Sequence, residues 1–185
     1  MKPGDHPEFF RMAAPPGASR ESSIVLDREG RFWHEGERVE NQSLERAMRT
    51  WIARHPDSGR LILTNGYDWC YFKAEGAPFV VESVRIEERE RAVDVGDGGD
   101  GGGANAPKVT LMLFDGSVEP LDPSALSVTP DGAVYARVKG GAFEARFSRH
   151  AQAELGPLLA SAEPPVLQIA GVLYSLAPRA EAPAQ

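Results

Sequence analysis

Between positions 42 and 72 the chain reads QSLERAMRTWIARHPDSGRLILTNGYDWCYF. The first part repeats apolar residues at helical spacing, at Leu44, Ala47, Met48, Trp51 and Ile52. This spacing predicts an amphipathic helix with Asn41 or Ser43 as its N-cap. The second part predicts a β-hairpin, because Asn65-Gly66 tolerates the positive φ angles of a type I′ turn between two apolar runs.

Turn residues separate further strand-sized runs on both sides of this stretch. Gly30 and Gly36 punctuate three short strands before the helix. Strands are also predicted at Phe79–Ile86, Val109–Phe114, Leu126–Thr129, Val134–Val138, Ala142–Phe147, Val166–Ile169 and Val172–Leu176. Ser148 predicts the start of a second helix, whose apolar stripe runs from Ala151 to Ala162 and which Gly156-Pro157 should kink or split.

A glycine-rich run, Gly96–Ala106, divides the chain. Its backbone has much entropy to lose and few side chains to bury, so we expect a mobile, dispensable connector. The predicted organisation is a flexible N-terminal arm at 1–22, a first α+β half at 23–95, the connector at 96–107, a second α+β half at 108–177 and a flexible tail at 178–185.

Both halves repeat the order hairpin, helix, hairpin, in windows 31–72 and 134–176 of nearly equal length. The repeat is one of pattern and not of residue identity, so an internal duplication is one of two interpretations. With one helix to cover its strands, each half has an apolar face to bury. We therefore predict an α+β fold of two similar strand-rich half-domains that share one core.

Composition excludes several classes of protein. The formal charge of the 185 residues is −7, from 27 acidic and 20 basic side chains, and the bases form no stripe that would bind nucleic acid. No apolar run is long enough to span a membrane, and none resembles a secretory signal. The single Cys70 cannot form an internal disulfide, which favours the cytoplasm.

Motifs for catalysis and cofactor binding are missing from the sequence. The glycine run lacks the Lys-Ser/Thr of a phosphate-binding loop, and no Gly-x-Ser-x-Gly elbow occurs. The four histidines have no ligand spacing, so we predict no metal, no cofactor and no catalytic residue. An enzyme of unfamiliar type is an alternative, and it would combine His34 and Glu35 with Asp68 and Cys70, all of which flank the first helix.

Aromatic residues supply the candidate binding site. Strand alternation would place Tyr67, Trp69 and Tyr71 on one face, and Trp33 and His34, in the predicted strand Arg31–Glu35, are further candidates. Such a cluster either packs in the core or lines a ligand cleft. The leading hypothesis is a non-catalytic module that binds a small ligand or a protein partner. A homodimer is a further hypothesis, through a free edge at Phe79–Ile86 guarded by the charged residues 87–91.

One family shares several of these motifs. The stretch Ser23–Val39, SIVLDREGRFWHEGERV, followed by the helix, by Leu63-Thr64 and by Glu75–Val80, resembles the bacterial domain-of-unknown-function family 1285. The likeness covers about residues 22 to 177 and implies a two-part α+β fold without naming a reaction. The chain departs from the family at the tight turn Thr64–Tyr67 and in the glycine run.

Overall fold

A computed structural model describes residues 1–87 and 107–180. These residues divide into two units between Pro78 and Phe79. They form two large sheets, a small third sheet and two short α-helices, which confirms the predicted α+β class with two strand-rich halves. The glycine run 96–106, where we predict the connector, lies outside the described residues.

The first unit contains one α-helix and a six-stranded sheet. Its elements are β1 Glu21–Leu26, β2 Phe32–His34, β3 Glu37–Arg38, α1 Gln42–Thr50, β4 Ile52–Arg54, β5 Leu61–Thr64 and β6 Trp69–Ala74. The strand order is β3-β2-β1-β6-β5-β4, and only the β1–β6 pair is parallel. The sheet therefore consists of two antiparallel meanders joined at its centre.

Helix α1 begins where the sequence predicts and ends earlier. The Asn41 side chain caps it by accepting hydrogen bonds from the amides of Ser43 and Leu44. The helix stops at Thr50, because Ile52 is already paired with β5. Strand pairing thus overrides the last two positions of the helical pattern.

The hairpin around Asn65 exists, but the type I′ turn is wrong. Four residues, 65–68, connect β5 to β6, and the Asn65 side chain accepts hydrogen bonds from the amides of Tyr67 and Asp68. Within this loop only Gly66 has a positive φ, of 87°. The side-chain bonds favour a longer loop. Tyr67 consequently lies in the loop and not on the strand.

The second unit contains a seven-stranded sheet, a three-stranded sheet and one α-helix. Its elements are β7 Phe79–Glu87, β8 Lys108–Leu113, β9 Val118–Pro120, β10 Ser127–Val128, β11 Val134–Val138, β12 Phe143–Phe147, α2 Arg149–Leu155, β13 Leu159–Ala162, β14 Pro165–Ile169, β15 Val172–Ser175 and β16 Ala177–Pro178. The strand orders are β16-β10-β11-β12-β7-β8-β9 and β13-β14-β15.

Strand β7 differs most from the sequence prediction. Phe79–Glu87 pairs with β12 in parallel and with β8 antiparallel, so it lies inside the seven-stranded sheet of the second unit. We assigned it to the first half and considered it a free edge. The fully free edge is wrong, because residues 79–81 pair with β12 and residues 81–87 pair with β8.

Helix α2 follows Ser148, whose side chain accepts a hydrogen bond from the amide of Ala151. The helix ends at Leu155, and Gly156-Pro157 belongs to a short 3-10 turn. The helical pattern is therefore interrupted at this pair, as predicted. Residues 159–162, predicted on the helical stripe, form strand β13 instead. Ala151 and Leu155 are the buried residues of α2.

The two ends of the described chain are more ordered than predicted. The N-terminal arm contains two 3-10 helices, Pro3–Asp5 and Pro7–Arg11. Near the other end, Ala177–Pro178 forms β16, and the Arg179 amide donates to the carbonyl of Val128. Residues 181–185 of the predicted tail lie outside the described residues.

Candidate functional site

Strand β6 places Trp69 and Tyr71 on one face of the first sheet, as alternation predicts. Their rings are perpendicular, with centroids 5.2 Å apart. Ile62, directly paired with Tyr71, is fully buried on the same face. His55 follows β4 and joins them, with its ring 5.1 Å from Trp69 and 5.6 Å from Tyr71. We call these four residues, Ile62, Trp69, Tyr71 and His55, the aromatic face.

The buried His55 is held by three hydrogen bonds. Its Nδ1 accepts from the amides of Asp57 and Ser58, both at 3.3 Å. The ring proton must therefore sit on Nε2, which donates to the carbonyl oxygen of Phe10 at 3.0 Å. His55 thus links the aromatic face to the N-terminal residues.

The N-terminal segment, defined as Pro7–Arg11, covers the aromatic face. Phe9 packs in one cluster with Ile62 and Trp69 and is only 9% exposed. The Phe10 ring lies 6.0 Å from Trp69. Beyond the segment, residues 12–20 contain no helix or strand before β1 begins. The segment is thus a short aromatic anchor on an irregular connection.

An ion pair fixes the end of the N-terminal segment. Arg11 donates through Nε and Nη2 to the two carboxylate oxygens of Asp57, each at 2.9 Å. The hydrogen bond from Arg11 lowers the pKa of Asp57 below its ordinary value of 3.8. Both partners are about half exposed, so we expect the pair to orient the segment more than to stabilise it.

Two arginines lie on the rings of the aromatic face. The Arg20 guanidinium is 4.5 Å from the Trp69 centroid and donates to the Trp69 carbonyl and to Asp68. The Arg60 guanidinium is 3.7 Å from the Tyr71 centroid and pairs with Glu21. These cation–π contacts flank the aromatic face with two guanidinium groups, each paired with a carboxylate.

The other predicted site residues lie elsewhere. Trp33 donates from Nε1 to Asp27 at 2.9 Å, and His34 is exposed in β2. Tyr67 is 66% exposed in the loop, where its ring contacts Lys2. Of the five candidates, Trp69 and Tyr71 come together, and Trp33, His34 and Tyr67 do not join them.

Asp27 organises the turn beside Trp33. Burial raises the pKa of this carboxyl, but bonds from the Arg31 amide, the Trp33 indole and the Arg31 guanidinium outweigh burial, and the net pKa is lowered. The carboxylate is therefore a structural acceptor. Its bonds fix the rotamer of Trp33.

The alternative enzyme site is not assembled. His34 lies in β2 and Cys70 in β6, with β1 between them, so they are about 10 Å apart across the sheet. Asp68 is engaged by Arg20, whose hydrogen bond lowers its pKa. Burial raises the pKa of the Cys70 thiol, which opposes formation of a nucleophilic thiolate.

Metal-binding clusters and membrane-spanning helices are both absent from the part of the chain that the structure describes. In 1–87 and 107–180, no group of three or more His, Cys, Asp or Glu side chains could hold a metal ion. In the same ranges, no helix is long and apolar enough to cross a membrane.

The predicted site did not include His55 or the N-terminal segment. The available signal was the adjacent pair Phe9-Phe10 inside a stretch of small residues and prolines. Two neighbouring large apolar side chains are costly to leave in water, so they argue for a docked segment. Their partners are about 45 to 60 positions away and cannot be read from local spacing.

Comparisons with known proteins identify the fold. A crystal structure of a DUF1285 family protein from Silicibacter pomeroyi matches with a TM-score of 0.61 and 16% identity, over 91% of this chain and 92% of that chain. A DUF1285 family protein from Shewanella baltica gives a TM-score of 0.47 and 12% identity, over 71% of this chain and 87% of that chain. No family model and no curated protein matches the sequence. The resemblance to family 1285 is confirmed at the level of the fold.

Proposed function

We propose that the chain is a non-catalytic, cytoplasmic binding module whose aromatic face takes short protein segments. The observation that carries the proposal is the N-terminal segment itself, which lies on this face. A site that holds a five-residue stretch through two side chains and one ion pair has the character of a peptide site. The net charge of −7 does not favour a nucleic acid as partner.

An unsatisfied donor on the aromatic face supports this role. The indole nitrogen of Trp69 is buried without a hydrogen-bond partner among the described residues. A buried, unpaired N–H costs about 1–3 kcal/mol, so the resident segment is not an optimal occupant. A partner segment that offers a carbonyl to Trp69 Nε1 would bind more tightly than residues 7–11 do.

The contacts of the resident segment define the chemistry of the partner. Two adjacent aromatic side chains would replace Phe9 and Phe10, and a basic residue directly after them would pair with Asp57. The partner we expect is thus an exposed protein segment with an aromatic pair followed by Arg or Lys. Binding in trans would displace the N-terminal segment of the chain.

The test opens the face in the full chain and supplies the segment separately. A variant with Phe9→Ala and Phe10→Ala should bind a synthetic peptide of residues 1–12, measured by isothermal titration calorimetry. If docking within the chain is worth about 3 kcal/mol, and the tethered segment has a millimolar effective concentration, the Kd should be on the order of 10 μM.

Two controls make the result specific. The same peptide with both phenylalanines replaced by alanine should bind at least tenfold more weakly. A Met12→Ala chain keeps its segment docked, because Met12 is 61% exposed, and should also bind the peptide at least tenfold more weakly. Equal binding of both peptides, or no binding by the opened variant, would overturn the proposal. A mass that doubles with concentration would identify a second copy as the occupant.

A further inference from the structure

A second candidate site lies on the seven-stranded sheet of the second unit. Strands β11 and β12 pair Tyr135 with Arg146 and Arg137 with Glu144, so these four side chains share one face. The Arg179 guanidinium lies 4.2 Å from the Tyr135 ring centroid. In a chain with an excess of acidic residues, three arginines thus gather around one tyrosine.

The positive charge of this cluster is only partly compensated. Arg179 donates through Nη1 and Nη2 to the two carboxylate oxygens of Glu144. Arg137 donates to the carbonyl of Gly141, at 3.3 Å. Within the described parts of the chain, neither Arg137 nor Arg146 forms an ion pair with a carboxylate. Among the described residues, Glu144 is therefore the carboxylate that hydrogen-bonds this cluster, and it does so through Arg179.

Arg146 is the least satisfied member of the cluster. Its Nε is buried and has no hydrogen-bond partner among the described residues. The charge of Arg146 acts on the carboxylate of Asp131. The hydrogen bond from Thr129 chiefly lowers the pKa of Asp131, and the charge of Arg146 adds a small further lowering. Asp131 thus does not hydrogen-bond the guanidinium. Because this Nε is closed to solvent and Arg146 does not line the neighbouring cavity, Arg146 would act on an external anion through its positive charge and not through the Nε–H itself.

A cavity of about 240 Å³ lies beside the cluster. Two of its lining residues, Ser127 and Ala177, are paired with each other on β10 and β16. Its lining consists of Ser124, Ala125, Leu126, Ser127, Tyr135, Ala136, Arg137, Glu144 and Ala177. The lining thus combines apolar side chains with hydroxyl groups, one guanidinium and one carboxylate already held by Arg179.

We propose that this face binds a small organic anion, with its acidic group between Arg137 and Arg146 and its uncharged part in the cavity. The two arginines are diagonal neighbours on adjacent strands, a separation that long side chains bridge. Guanidinium groups bind carboxylates and phosphates through paired N–H donors. A cavity of this size accommodates a short-chain acid and not a nucleotide.

The experiment titrates three probes into the full-length protein at low salt, with binding measured from amide chemical shifts in NMR spectra. Butyrate represents a carboxylate, ethyl phosphate represents a phosphate ester, and butyramide is the uncharged control. We expect saturable binding of at least one anion, with a millimolar Kd. The shifts should be centred on Ser127, Tyr135 and Ala177. Butyramide should not bind.

Matched variants decide whether the cluster is responsible. Arg146→Gln and Arg137→Gln should each weaken the anion at least tenfold. Arg149→Gln removes the same charge from the exposed first turn of α2 and should leave the Kd unchanged. Absence of saturable binding for both anions would overturn the proposal, and so would equal weakening by all three substitutions. Preference for butyrate or ethyl phosphate identifies the acidic group.

Discussion

Phe9→Ala should release the N-terminal segment while the remainder of the first unit stays folded. Truncating a buried phenylalanine removes about 3–5 kcal/mol of packing. Phe9 and Phe10 together contribute at most about 6–10 kcal/mol of packing. Fixing the five residues of the segment costs roughly 5–10 kcal/mol of backbone entropy, so most of the packing is offset and we take about 3 kcal/mol as the upper value of the net docking free energy. The loss of packing therefore exceeds what holds the segment in place.

The free energy of unfolding of the double variant shows whether the segment detaches. Once Phe9→Ala has released the segment, Phe10→Ala has no contact left to remove. The free energy of unfolding in urea should fall by up to about 3 kcal/mol in Phe9→Ala, and by nearly the same amount in the double variant. Trypsin should cleave after Arg11 about 100-fold faster in both, because cleavage follows the open population.

The control is Met12→Ala, next to the segment. Its side chain is 61% exposed, so the free energy of unfolding should change by less than about 0.5 kcal/mol. The prediction is contradicted if the decreases in the free energy of unfolding caused by Phe9→Ala and Phe10→Ala add in the double variant. Additivity would mean that the segment belongs to the cooperative core and cannot detach.

Three further predictions concern single residues. The hydrogen bond from Arg11 lowers the pKa of Asp57, so the contribution of Asp57 to docking is complete above its ordinary pKa of 3.8 and is lost as pH falls through the lowered value. Intrinsic tryptophan fluorescence should report this release in acid, and Arg11→Ala should abolish that pH dependence. Ala170 has a φ of 53°, so Ala170→Gly should raise the free energy of unfolding by about 1 kcal/mol, whereas a loss would show that the turn between β14 and β15 tolerates alanine without strain. Burial raises the pKa of Cys70, so at pH 7 it should react with a disulfide reagent at least tenfold more slowly in the folded chain than in urea, and equal rates would contradict the placement of this thiol.

Local spacing predicted the parts of the fold that depend on near neighbours. The cap at Asn41, the cap at Ser148 and the last hairpin follow from residues within a few positions of each other. The positions of Trp69 and Tyr71 on one face follow from strand alternation. These features needed no knowledge of distant contacts.

Long-range pairing limited the rest of the prediction. The strand Phe79–Glu87 looks the same in sequence whichever sheet it joins, and its partners β12 and β8 lie on the far side of the glycine run. The Asn65 side chain accepts hydrogen bonds from the loop amides, and the Asn-Gly pattern does not show whether such bonds or those of a tight backbone turn will form. Trp33 and His34 lie apart from Trp69 and Tyr71 because β1 separates β2 from β6, and the sequence alone does not give strand order.

The order β3-β2-β1-β6-β5-β4 also limits how the first sheet can evolve. Because β3 and β4 occupy opposite edges, the connection that contains α1 must cross five strand spacings, about 24 Å. The nine residues of α1 supply about 13 Å, and the few residues flanking the helix supply the remainder. A deletion of one helical turn would leave the connection close to its fully extended limit, and an added edge strand would require a longer connection. The length of the connection that contains α1 therefore limits how many strands this sheet can have between β3 and β4.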